Sequence, residues 1–153
     1  MTRFLFFSLI VSALLLGTSC KDEDQAEIDR GVILKYIADN NLTATEHESG
    51  IFYVIETPGS GGSPSLTSQV EVNYKGYFTD NVVFDEGHLP TATSGPITPL
   101  NLIEGWQIAL PLLQKGGKGT FVIPSGLCYG SNPPGGIPPN SVLVFEIELI
   151  DFN

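Results

Sequence analysis

Few side chains in this chain could move a proton or attack a carbonyl. There are two cysteines, Cys20 and Cys128, and two histidines, His47 and His88. Neither histidine stands at metal-ligand spacing from the other or from a cysteine, so no metal is expected. Cys128 has no histidine near it to act as a base, so it is expected to be a buried, inert thiol. The run Gly116-Gly117-Lys118-Gly119-Thr120 has the composition of a phosphate loop. It lacks the earlier glycine, and no Ser or Thr directly follows the lysine, so it reads as a turn. Asn41-Leu42-Thr43 is a glycosylation sequon by pattern only. What remains is aromatic and apolar, and such side chains taken singly are core more often than binding surface.

These residues need elements to position them, and the central one contains the only tryptophan. Asn101 and Glu104 have the spacing of an N-cap and its capping-box partner, so a helix is expected to open at Ile103-Glu104-Gly105-Trp106. Trp106, Ala109, Leu110 and Leu113 follow at helical spacing, with Ile108 and Leu112 on the other side. A helix apolar nearly all round belongs inside a fold. Pro111 and the Gly116-Gly117 pair keep it to one or two turns.

Strands are expected around it. Residues 51–56 form one, closed by a breaker-rich segment from Pro58 to Pro64. Residues 70–78 alternate cleanly, with Val70, Val72, Tyr74 and Phe78 on one face. Asp80-Asn81 turns into Val82-Val83-Phe84, and a polar loop from His88 to Pro96 leads to the helix. Lys118 to Pro124 is another strand. The closing one, residues 142–150, sends Leu143, Phe145, Ile147 and Leu149 to one side and Glu146 and Glu148 to the other. The fold class is therefore α+β: a curled antiparallel sheet of about five strands around one short helix. A short amphipathic helix, residues 25–40, precedes it, with an apolar stripe of Ile28, Val32 and Tyr36 beside Ile33 and Ile37. Its length suits a strut docked on the domain more than an independent dimerisation unit.

Residues 1–19 read as a secretory leader, with Arg3, the apolar run from Phe4 to Leu16, and the small residues Gly17-Thr18-Ser19 before Cys20. The run is too short to remain as a membrane span. The cysteine after that site resembles the lipobox of bacterial lipoproteins, although Leu16 lies one place further from Cys20 than the usual leucine. Lys21-Asp22-Glu23-Asp24 is similar to the acidic signal that sends some lipoproteins to the outer face of the outer membrane. The expectation is a lipid on Cys20 and a cell-envelope, outer-membrane location, with residues 20–50 as tether and helix and residues 51–153 as the folded domain. Net charge is −10, which argues against nucleic acid as a partner.

Within residues 51–152 the motifs Val72-Asn73-Tyr74-Lys75-Gly76, Phe84-Asp85, Ile103-Glu104-Gly105-Trp106, Lys115-Gly116, Ile123-Pro124, Tyr129-Gly130, Ile137-Pro138-Pro139-Asn140 and the Leu143–Leu149 run stand in one order. Together they resemble the FKBP-type peptidyl-prolyl cis-trans isomerases. That resemblance implies a half-barrel on the helix and a hydrophobic bowl for a proline ring. Trp106 would be its floor, and Tyr74, Phe84, Leu102, Ile103 and Phe145 its walls. Tyr129 and the backbone N–H of Ile137 would donate hydrogen bonds at the rim, beside the Asp85 carboxylate. Three features depart from the family pattern: nothing basic except His88 lies between Lys75 and Lys115, Pro96-Ile97 replaces an aromatic, and Gly135-Gly136 precedes Ile137. They imply a shallow rim and weak binding of the family's macrolide inhibitors.

Rotation about an X–Pro bond must cross a resonance barrier of about 18–20 kcal/mol, and no proton has to move. A dry bowl disfavours the charge-separated planar amide, so no cofactor is implied. The expected activity is isomerisation of X–Pro bonds in exported or envelope proteins, by a chain expected to be a monomer. A non-catalytic proline-peptide binding module or chaperone would use the same residues, and a structural surface lipoprotein would use none of them.

Overall fold

The computed structural model describes residues 20–153, with side chains from residue 24. The leader expected over residues 1–19 lies outside the described residues, and so does the side chain of Cys20 on which the lipid is expected. The chain runs through α1 (Cys20–Asp39), β1 (Thr45–Glu46), β2 (Phe52–Thr57), β3 (Val70–Phe78), β4 (Val83–Leu89), α2 (Glu104–Ala109), β5 (Lys118–Ile123) and β6 (Leu143–Phe152). Short 3-10 turns stand on both sides of α2, at Pro99–Asn101 and Leu110–Leu112, and after β5 at Ser125–Leu127.

All six strands form one antiparallel sheet in the order β1-β2-β5-β6-β3-β4. The sixth strand, absent from the sequence reading, is the two-residue β1, too short to leave a periodic signal. β4 also runs further than expected, through Asp85-Glu86-Gly87-His88 to Leu89. Its polar residues can stay in register because it is an edge strand, paired only with β3.

Alternation along the strands gives the sheet two buried faces. On the concave face, Val70, Val72, Phe121, Ile123, Leu143, Phe145, Ile147 and Leu149 pack with Trp106, Ala109, Leu110 and Leu113 from α2 and the turn after it. For β3 and β6 this is the inward set the alternation predicted. On the convex face a second cluster joins Phe52, Tyr77, Val122, Val142 and Val144 to Ile33 and Tyr36 of α1. β5 is therefore buried on both sides over residues 119–123.

Helix α1 docks on a different face from the one its apolar residues suggested. Ile28 is 59% and Val32 38% exposed, whereas Asp29, Ile33 and Tyr36 are at most 5% exposed. The stripe is turned by one residue because the carboxylate of Asp29, rather than a hydrocarbon, leads the buried face, where Ser125 hydrogen-bonds it. The sequence offers Asp24 and Glu27 as caps for this helix, but it starts at Cys20, so both lie inside it and neither caps it.

The cap expected for α2 is not formed either. Ile103 is the N-cap, with no side-chain bond, and its carbonyl accepts from the amides of Trp106 and Gln107 at 2.9 and 3.2 Å. Asn101 ends the preceding 3-10 turn instead, its Oδ1 accepting from the Thr98 hydroxyl at 2.8 Å.

Candidate active site

Trp106 lies in the first turn of α2 at 4% exposure, pressed between two strands. Tyr74 from β3 meets it edge-on, ring centroids 5.3 Å apart and planes at 78°. Phe145 from β6 does the same at 5.5 Å and 86°. Phe84 from β4 then packs edge-on against Phe145 at 5.7 Å, and Phe78 tilts against Phe84 at 5.1 Å. Edge-to-face pairs of this kind are each worth about 0.5–1.5 kcal/mol beyond their area. They hold the rings as a fixed wall.

Two glycines make this packing possible. A Cβ on Gly76 would lie 2.7 Å from Phe84 Cζ and 2.9 Å from Phe145 Cε1. On Gly105 it would lie 2.6 Å from Ile123 Cγ2, so only glycine lets α2 sit this close to β5.

The rings enclose a cavity of about 240 Å³. Eight of the nine expected pocket residues line it: Tyr74, Phe84, Asp85, Leu102, Ile103, Trp106, Tyr129 and Phe145. Two further lining residues, Leu89 and Asn101, were missed. Leu89 pairs with Val72 at the end of β4, and its place on the concave face follows once the strand is known to reach it. Asn101 reads from the sequence as a helix cap rather than a pocket residue. The ninth residue, Ile137, packs against the core but does not line the cavity. Its N–H already donates to Pro134 O at 3.3 Å, so a peptide carbonyl at the rim would have to displace that bond.

Size does not single this cavity out. A concavity between residues 90–97 and the C-terminal residues is about 400 Å³, and one between α1 and residues 124–131 is about 710 Å³. Neither gathers more than one aromatic ring.

The polar groups of the bowl are few. The Tyr74 hydroxyl donates to Asp85 Oδ2 at 2.9 Å. Burial, then the bond and charge of Asp85, push the Tyr74 pKa up to about 12. Burial also raises that of Tyr129, with smaller contributions from Cys128 and Asp85. Both hydroxyls keep their protons at neutral pH and can act as donors. The Trp106 Nε1–H is buried and has no hydrogen-bond partner among the described residues. His88 does not approach Asp85. Its ring meets Asn73 Oδ1 at 3.0 Å and Glu71 Oε1 at 3.6 Å, and among the described residues Asp85 has no ion-pair partner. Burial pushes the Cys128 thiol up to about 12, with the charge of Asp29 adding to it, so it stays protonated.

The site is thus a curled antiparallel sheet closed on a short helix, with an aromatic bowl between them. The family model for the FKBP-type peptidyl-prolyl cis-trans isomerases matches residues 61–150, and this chain belongs to that family. It is 42% identical over 105 residues to the isomerase FkpA of Aeromonas hydrophila, covering 67% of this chain and 38% of the relative. It is 39% identical over 110 residues to a probable FKBP-type isomerase of Haemophilus influenzae, covering 69% and 44%. The chain thus spans roughly two fifths of the length of these curated relatives. The crystal structure of FkpA from Escherichia coli superposes with a TM-score of 0.71 at 31% identity, over 86% of this chain and 62% of that one. An isomerase from Pseudomonas syringae superposes at 0.70 and 33%, over 90% of this chain and 99% of that one. Both superpositions extend beyond the 61–150 segment.

Proposed function

We propose that this chain is a peptidyl-prolyl cis-trans isomerase acting on X–Pro bonds of exported or envelope polypeptides, held at the membrane by a lipid on Cys20. The observation that carries the reading is the bowl itself: a buried tryptophan flanked edge-on by Tyr74 and Phe145, beside tyrosine hydroxyls that stay protonated. A planar amide is charge-separated and loses hydration in such a site more than the twisted one does, so the apolar walls favour rotation. Only a preference for the twisted state over the ground state raises the rate, about 1.4 kcal/mol for each tenfold. Trp106 gives the proline ring its floor, Phe84 and Phe145 its walls, and Tyr129 a donor for the flanking peptide. Asp85 orients Tyr74 and carries the bowl's negative charge. The glycine-flanked rim and the engaged Ile137 N–H favour weak binding of macrolide inhibitors.

The engaged Ile137 amide also supports a second reading, a proline-peptide binding module without turnover. Both are tested by measuring cis–trans interconversion of a peptide with an apolar residue before proline, using the chain from Asp22 and its Trp106→Leu, Tyr129→Phe double variant. Acceleration by the wild type and not by the variant supports the isomerase. Peptide binding with no acceleration by either protein replaces it with the binding module. Lipid attachment is read from the mass of the purified full chain.

A further inference from the structure

Asp29 is a carboxylate at 2% exposure, and no basic side chain pairs with it among the described residues. It is held only by neutral donors. Oδ2 accepts the Ser125 amide at 2.7 Å and the Ser125 hydroxyl at 2.6 Å, while Oδ1 accepts Gln25 Nε2 at 2.8 Å. Burying a charge on neutral partners is costly, and these bonds must be well made to offset it.

Ser125 opens the segment that leads to the bowl. Its carbonyl accepts the amide of Cys128 at 3.0 Å and that of Gly130 at 2.9 Å, the two residues flanking Tyr129. Gly130 in turn accepts the Asn140 amide at 2.8 Å, which ties the segment to the start of β6. Every polar group of Ser125 is thus in use, with its donors on α1 and its acceptor on both sides of Tyr129. The aim of the Tyr129 ring depends on this backbone and on its packing against the core. The charge of Asp29 is also felt at the Cys128 thiol, which places the carboxylate beside the same segment.

We propose that Asp29 is a positioning residue for the rim: through Ser125 it fixes the peptide groups that flank Tyr129, and so couples helix α1 to the bowl. This rests on the reading above that Tyr129 contacts the substrate. Its consequence is that α1, apart in sequence from every pocket residue, is part of the machinery that sets the isomerisation rate. The anchored end of the chain and the bowl then share one connection, from Asp29 to Ser125.

The test is a double-mutant cycle on the full chain, produced with its leader in a bacterial host, with kcat/KM for a proline peptide and amide exchange at Cys128 and Gly130 as readouts. Asp29→Ala should lower kcat/KM by about tenfold, since only part of the energy of the lost bonds is expressed in the aim of Tyr129. Asp29→Asn, which keeps an oxygen for Ser125, should remain within about threefold of the wild type. In a Tyr129→Phe background Asp29→Ala should cost almost nothing further, because both changes act on one contact. Exchange at the two amides should rise in Asp29→Ala. If Asp29→Ala does not fold, Ser125→Ala, which removes only the hydroxyl bond, should give the same pattern at smaller amplitude. Equal losses in the two backgrounds, or unchanged exchange at both amides, overturn the proposal. A wild-type chain that binds the peptide without isomerising it defeats the functional reading alone, and the exchange arm still decides whether Asp29 braces the loop.

Discussion

At the scale of single residues, the bowl works by what its side chains withhold. Tyr74 and Tyr129 have pKa values raised largely by burial, so neither is a base at neutral pH, and Cys128 is a protonated thiol. Trp106→Leu should keep the fold, losing about 1–3 kcal/mol to incomplete filling of the floor. It should lower kcat/KM at least tenfold, as read by a coupled peptide assay beside a thermal melt. The raised pKa of Tyr74 also predicts an alkaline limb in stability. Below pH 10 both folded and unfolded chains hold that proton and its contribution is complete. As pH rises toward about 12 the unfolded chain ionises first, and the contribution is lost. Thermal melts from pH 9 to 12 should therefore show a smaller decline for Tyr74→Phe than for the wild type.

At the scale of elements, α2 and the strands meet through missing side chains. Gly105→Ala would press a methyl into Ile123 and the Leu127 carbonyl, the nearest atoms being 2.6 and 3.2 Å away. Overpacking of this kind typically costs about 1–3 kcal/mol, measurable by urea denaturation. Gly76→Ala meets Phe84 and Phe145 instead. Those rings can tilt, so peptide binding should fall more steeply than stability, and a variant losing stability with binding intact would contradict this account of the wall. Both glycines were visible in the sequence as members of motifs, but the reason for them was not. That reason is the distance between chain segments far apart in sequence.

At the scale of the whole molecule, one sheet carries two cores, and the N-terminal helix covers the second with Ile33 and Tyr36. Ile33 is 1% exposed, and Ile33→Ala should destabilise the chain by about 2–4 kcal/mol. Because β5 and β6 contribute to both clusters, the helix and the bowl should unfold together. Trp106 fluorescence and helical circular dichroism should give coincident denaturation curves; separate midpoints would mean that α1 is an independent unit. Since the proposed chemistry uses only side chains and desolvation, a chelator should leave the isomerisation rate unchanged.

The sequence by itself determined the sheet-on-helix class and the inward set of β3 and β6, because period-two alternation is a local property; the residues of the bowl came from the resemblance of its ordered motifs to the FKBP family. Eight of the nine residues that the resemblance implied line the cavity, and Leu89 stayed unseen because glycine and charge hide an edge strand. Only the tertiary structure decided the rest. It turned the buried face of α1 onto Asp29, since a carboxylate can be buried where distant donors meet it. It made Ile103 rather than Asn101 the N-cap of α2, since the Ile103 carbonyl meets the first amides of the helix there. It tied up the Ile137 amide in a turn. Each of these outcomes depends on a hydrogen-bond partner or a neighbouring surface that no local pattern specifies.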